Sequence, residues 1–330
     1  MSTDILKLAT QYSFYTGCIS FTFGFIGNIL NILVFTQLKL FRNNRCAFYI
    51  TVESINNFIY QFLSITLTIL TLTYGNDATG RSLGWCKFRY MSGQTFALTS
   101  YYTVCLTAID QFFSTNHQFR LRQMCTIKLA RYVIFISICI WTAHSILSGW
   151  FFDIQESLRC VISNPIWQQY ISSFFYPVLA GLLPITIVLL FSLLAFHNVR
   201  RIVRRQIPIV RRRLDQQLTA MVLMRAVIAA CFILPYTIYR IYIIKFPVSQ
   251  NQSREYAIVR LIQAVFLPLI NIHFSASFYI FLILSSRFRR QVKFLLVKKY
   301  WQRLKYLCHL NNNQINPENA EAFGADMELA

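Results

Sequence analysis

Charge is scarce in this chain. Only 13% of its 330 residues are Asp, Glu, Lys or Arg, about half the ~25% usual in a soluble globular domain. The shortage is concentrated in long apolar stretches, which excludes an ordinary soluble fold and marks a membrane protein. Histidine is sparse and scattered, at His117, His144, His197, His273 and His309, so no His/Asp/Glu group stands at metal or protease spacing. Glycine is also sparse, and no Gly-rich loop that would cradle a phosphate occurs. The chain is therefore read as a non-enzyme with no metal or cofactor. No internal repeat of the kind that builds transporters from matched halves is visible.

Acidic residues are the rarest charged class, 12 against 32 basic ones, for a net charge of +20. In a soluble protein that balance would point to nucleic acid. Here the basic residues sit at the ends of apolar segments and in short loops, so membrane topology accounts for them and no nucleic-acid partner is expected.

The apolar segments run over about 14–37, 47–73, 87–113, 129–151, 168–197, 216–245 and 257–284. Each has the ~20 residues needed to cross ~30 Å of hydrocarbon. The first is too long for a signal-peptide core and is read as a retained signal anchor. The loops alternate in charge. One set, with the C-terminal tail, carries 22 lysines and arginines, among them Arg120, Arg122, Arg200, Arg213 and Arg287; the other carries 7. The positive-inside rule puts the N-terminus outside and the C-terminus in the cytoplasm. Of nine cysteines, only Cys86 and Cys160 lie in or beside predicted outer loops, and an oxidising compartment would allow them to pair. The sequon Asn251-Gln252-Ser253 falls in the predicted outer loop between segments six and seven, making Asn251 a candidate glycosylation site.

Five of the segments carry a mark. The first has Gly27-Asn28, and the third runs from Trp85-Cys86 to Asp110-Gln111-Phe112. The fourth has Trp141, the fifth Pro184 and the sixth Pro235. A basic amphipathic stretch from Phe288 follows the seventh and is expected to lie on the inner leaflet. Together these marks resemble the rhodopsin-like family of G-protein-coupled receptors, in style nearest to invertebrate FMRFamide-type neuropeptide receptors. The resemblance implies an all-α membrane protein, a seven-helix bundle with a short eighth helix. It also implies an extracellular ligand, an outward swing of helix six about Pro235, and a heterotrimeric G protein docking in the opening.

Several switch residues depart from the family's pattern. Asn57 stands where the family has an Asp, so a weak or absent sodium site is implied. Gln111 replaces the Arg of the Asp-Arg-Tyr triplet and cannot ion-pair with Asp110, although Asp215 stands near the helix-six partner position. Ile233 replaces the toggle Trp, Phe278 the Pro and Phe281 the Tyr of the helix-seven motif, and Ser192 the helix-five Tyr. The candidate switch and coupling set is thus Asn28, Asn57, Asp110, Gln111, Pro235 and Phe281. Either switching uses other contacts or G-protein coupling is weak. Two ionisable residues lie at membrane depth, where isolated charge is costly. Glu53 and Arg225 either join an inner polar network or, for Arg225, the side chain snorkels to the interface.

The outer half of such a bundle is the expected pocket. Gly93 stands where amine receptors carry an acid, which disfavours amines, and segment seven has no lysine for a retinal Schiff base. Gln94, Tyr236, Tyr239, Arg240, Arg260 and Gln263 are the candidate ligand residues, with Tyr242 and His273 nearby. Two arginines among aromatics suit a peptide or other ligand with acceptor oxygens or a carboxylate. Alternatively the arginines pair with Glu255, Asp153 or Glu156 in the loops. The expected organisation is an extracellular N-terminus over 1–13, a receptor domain over 14–284, an amphipathic cytoplasmic helix over 285–308 that touches membrane lipid, and a disordered tail over 309–330. The sequence reads as a multi-pass plasma-membrane receptor for a neuropeptide. The alternative readings are an atypically coupled or non-signalling receptor, and a transporter.

Overall fold

Long apolar segments in hydrocarbon must satisfy their backbone groups internally, and helices do this without help from a neighbour. The computed structural model describes residues 2–38, 44–73, 82–116, 118–155, 159–202, 209–248 and 253–301. Its helices are α1 (Ser2–Gln37), α2 (Arg45–Thr73), α3 (Leu83–Ser114) and α4 (Ile127–Trp150). Next comes α5, made of Pro165–Tyr170, Ile171–Leu182 and Leu183–Ile202 in unbroken succession. Then come α6 (Ile209–Lys245), α7 (Ser253–Ser275 and Ser277–Leu284) and α8 (Ser286–Lys293, continuing through Phe294–Trp301). The predicted segments fall on α1 to α7. The largest difference is at the start, where the described residues of the expected N-terminal tail continue α1 as helix. Asn251, Glu156, Cys308 and the tail lie outside the described residues, as does the side chain of Asp215.

By length and composition α1, α4, α5, α6 and α7 can each cross a membrane. Their outward side chains are apolar, with Phe135, Trp150, Ile238 and Ile283 all well over half exposed, as expected where the solvent is lipid. α2 and α3 are equally long but carry polar seams. Glu53, Ser54, Asn57 and Gln61 on α2, and Thr99, Ser100, Thr103 and Gln111 on α3, are all buried. Their polar groups face protein, where partners can be found.

The seams are bonded across helices. Asn28 donates to the Phe274 carbonyl (3.1 Å), and Asn31 donates to Ser277 (2.9 Å) and Ser54 (3.3 Å). The Ser100 hydroxyl donates to Asn57 Oδ1 at 2.7 Å. Gln61 donates to Ser275 Oγ at 2.6 Å, and a Cβ at Gly24 would fall on the Gln61 carboxamide. Gln61 is buried, so displacing its amide would strand a polar group. Gly24→Leu is therefore expected to cost about 1–3 kcal/mol by overpacking, read as a lowered melting temperature of the purified protein. An unchanged melting temperature would remove Gly24 from the α1–α2 contact.

Two features were not foreseen in the sequence. Ile171–Leu182 of α5 is a wide, π-helical stretch containing Pro177. The Leu183 N–H reaches the Val178 carbonyl, five residues back. In that register the Leu179 carbonyl would take the N–H of residue 184, which is proline and has none; the Tyr102 hydroxyl donates to it instead at 3.0 Å. Between α4 and α5 an antiparallel hairpin pairs β1 (Phe152–Gln155) with β2 (Arg159–Ile162), Ile154 opposite Cys160. Cys160 is bonded to Cys86 at the start of α3, which fastens the hairpin to the bundle.

At the other end Ser285 caps α8, its hydroxyl accepting from the Phe288 N–H at 3.0 Å. Phe288, Val292 and Leu295 are buried with Phe35 and Phe281, while Arg289, Arg290 and Lys293 are exposed. That spacing puts the apolar side chains on one helix face.

Candidate functional site

A cavity of about 560 Å³ opens at the disulfide end of the bundle, within the usual range for a ligand site. One wall is the hairpin, through Phe152, Gln155, Cys160, Val161, Ile162 and the adjoining Ser163. Phe152 is stacked on Tyr90 of α3 at 4.1 Å between ring centroids. The N-terminal turns of α1 supply another wall through Leu6, Ala9, Thr10 and Ser13, a contribution invisible when those residues are read as a tail. The floor is aromatic, with Tyr60, Tyr101, Phe175 and Tyr236.

Five of the six predicted ligand residues line this cavity: Gln94, Tyr236, Arg240, Arg260 and Gln263. Tyr239 does not. One residue before Arg240, it turns between α6 and α7, is buried, and stacks on Phe266 at 5.4 Å. His273 also lies off the cavity, edge-on to Tyr101 at 5.3 Å, and Tyr242 is more than half exposed. Gln94 reaches the lining, but its amide nitrogen is 3.0 Å from His144 Nδ1 and 3.3 Å from Ser148 Oγ. That ties α3 to α4, and His144 in turn meets the Tyr170 hydroxyl at 2.9 Å.

Neither arginine takes the loop acids as partners among the described residues. Arg240 Nε donates to the Tyr176 hydroxyl at 3.0 Å, and its guanidinium lies over the Tyr176 and Tyr90 rings at 5.3 and 5.9 Å. Arg260 donates to Gln263 Oε1 at 3.3 Å and lies over Tyr256 at 5.9 Å. Asp153 instead accepts from the Ile154 N–H at 2.8 Å. Arg89 of α3, not singled out from the sequence, lines the same cavity.

Below the cavity lies a packed layer in which Ile233, at the toggle position, joins Leu98, Tyr101, Phe175, Ile270 and Phe274. Deeper still, Arg225 of α6 bonds and ion-pairs with Glu53 of α2 through Nη2 and Oε1. Their side chains are 5% and 1% exposed, so snorkelling is ruled out for Arg225. Asn57 donates to the same Glu53 oxygen at 3.3 Å, and Phe281 of α7 lies under the guanidinium at 5.6 Å. Near the basic end, Asp110 has a partner the sequence did not indicate. Arg45 Nε reaches its two carboxylate oxygens at 3.1 and 3.2 Å, and Nη1 bonds the Cys125 carbonyl. Arg45 is among the 22 basic residues of the inner loops and tail. Gln111 is buried and accepts from the Thr219 hydroxyl of α6 at 3.4 Å.

This is a bundle with one deep cavity beside a disulfide-anchored hairpin and a polar layer beneath it. The sequence pattern of the 7 transmembrane receptor (rhodopsin family) matches residues 27–273, most of the chain. The protein belongs to that family. It is a multi-pass membrane protein and a non-enzymatic signalling receptor, of a class whose partners are an extracellular ligand and a G protein. No curated protein sequence matches it.

Proposed function

We propose that the protein is a plasma-membrane receptor for a neuropeptide, oriented with the disulfide end outside, and that it couples to a heterotrimeric G protein through movement of α6. The observation that carries this reading is the cavity, because its aromatic floor and arginines stand where the family binds ligands. Its volume of about 560 Å³ suits one end of a peptide, the rest extending over the hairpin. Pro235 lies in α6 between the cavity-lining Tyr236 and the Arg225 layer, so a bend there would couple ligand to the far end of the helix. The excess of basic residues at the other end supports its placement in the cytoplasm, with α8 against lipid and Asn251 glycosylated outside.

Gln111 and the Glu53–Arg225 pair favour a second reading, a receptor with atypical coupling. Expressing the receptor with a promiscuous G protein and an arrestin reporter, and applying a library of peptides and small transmitters, separates the two. A peptide-evoked calcium response is expected. An arrestin signal without calcium would support atypical coupling, and silence on both with good surface expression would overturn the ligand-activated reading.

A further inference from the structure

We infer that the cavity selects its ligand by a carboxylate, seated against Arg240, and does not select cationic or amidated groups. This inference rests on the reading of the cavity as the ligand site and adds the chemistry that recognition requires.

Three guanidinium groups, from Arg89, Arg240 and Arg260, line the cavity, and among the described residues that line it there is no Asp or Glu. Arginine does not shed its charge in a protein. A ligand entering here therefore meets fixed positive charge in surroundings of low dielectric, where charge–charge terms are larger than in water. An ammonium or guanidinium on the ligand would be opposed by the like charges of Arg240 and Arg260, neither of which has a carboxylate partner among the described residues. A carboxylate would gain charge-assisted hydrogen bonds, and an arginine can offer two in parallel.

Arg240 is the seat because it is held in place before any ligand arrives. Its Nε is used by the Tyr176 hydroxyl, and its guanidinium is also 5.3 and 5.9 Å from the Tyr176 and Tyr90 ring centroids. Neither Nη makes a hydrogen bond or ion pair among the described residues. A fork fixed at Nε with its Nη groups uncommitted loses little freedom on binding, so more of the interaction is retained as affinity. Arg89 and Arg240 line the cavity together with Tyr236. Arg260 is half committed to Gln263 and is assigned the weaker, flanking role. The aromatic floor then requires an apolar or aromatic body next to the acid.

Two sources carry this chemistry: the free C-terminus or acidic side chain of a peptide, and a small aromatic acid. The test uses cells expressing the full-length receptor and matched probe pairs. One arm holds peptides ending in an aromatic residue, each made as the free acid and as the amide. The other holds phenylacetate and indole acetate with their amides. Both arms are run by calcium and arrestin readouts, and by thermal shift of the receptor in nanodiscs. Free acids from one arm are expected to act at least about tenfold more potently than their amides, the arm identifying the source. Arg240→Gln is expected to lower the acids' potency by about 10–100-fold, the loss of a hydrogen bond to a charged group, at unchanged surface expression. Amides or amines as potent as acids, with Arg240→Gln indifferent, would overturn the carboxylate inference while leaving the cavity as the ligand site. No response or thermal shift from any probe in either arm would overturn both.

Discussion

Glu53→Ala is expected to leave the receptor poorly folded and largely retained inside the cell. The substitution keeps Arg225 buried and removes its only carboxylate among the described residues. Removing one partner of a buried ion pair costs about 3–5 kcal/mol, because the remaining charge loses its compensation while its desolvation stays. That is a large share of the ~5–15 kcal/mol by which a native fold is favoured. Arg225→Ala is expected to do the same from the other side, stranding Glu53 beside Asn57. Exchanging the charges, Glu53→Arg with Arg225→Glu, should recover a substantial part of the surface expression. Replacing both with leucine should come near wild type, since an apolar pair of similar size is often neutral or better than a buried salt bridge.

The leucine pair separates stability from switching. Glu53 is on α2, Arg225 on α6, and Phe281 of α7 completes the contact. If α6 must move for signalling, the pair resists that motion, and a double-leucine receptor should show raised ligand-independent activity at normal surface level. Surface antibody staining with a basal reporter assay reads both quantities. Single variants that traffic like wild type would deny the pair its structural role. A silent double-leucine variant would deny it the switching role.

The second large effect is expected at the disulfide. Cys86→Ser, or reductant applied to the wild type, should lower the thermal stability of the purified receptor and loosen the hairpin that walls the cavity. The bond joins residues 74 apart in sequence. Cross-linking a loop of that size is worth about 4–5 kcal/mol in the chain-entropy estimate, and losses on removal usually run about 2–5 kcal/mol. Phe152 and Val161, both cavity-lining, sit on the two hairpin strands, so ligand-evoked potency should fall together with stability. Reductant should have no further effect on the serine variant. A wild-type melting temperature indifferent to reductant would show that the bridge does not hold the hairpin.

The parts of this molecule that were legible in the sequence are those with a large and unambiguous cost. Seven apolar runs leave the backbone little but helix in lipid, and each expected segment falls on one of α1 to α7, with α6 starting seven residues earlier than expected. Glu53 and Arg225 were conspicuous because charge at that depth needs a partner, but only the packing of α6 on α2 decides between an inner network and a snorkelling Arg225. Arg45 was hidden by a competing explanation: a basic residue at a helix start already serves topology, so its reach to Asp110 had no separate signature. Tyr239 and Arg240 are adjacent, and only the rotation of α6 decides which faces the cavity. Gln94 was read as a ligand group because nothing in its neighbourhood named His144, fifty residues away. The hairpin strands have four residues each, too short for alternation to stand out, and the wide stretch of α5 holds Pro177 within an otherwise apolar run that reads as ordinary helix.

The Glu53–Arg225 contact also constrains how the chain is made. The partners are 172 residues apart, which at ~5–20 residues per second is about 10–30 s of synthesis. Throughout that interval α2 exists without α6, carrying an acid that has no arginine to meet. α2 and α3 are also the two helices that do not meet the composition of a span by themselves. Until the sixth helix is delivered, Glu53 depends on other partners, the Asn57 amide of its own helix among them.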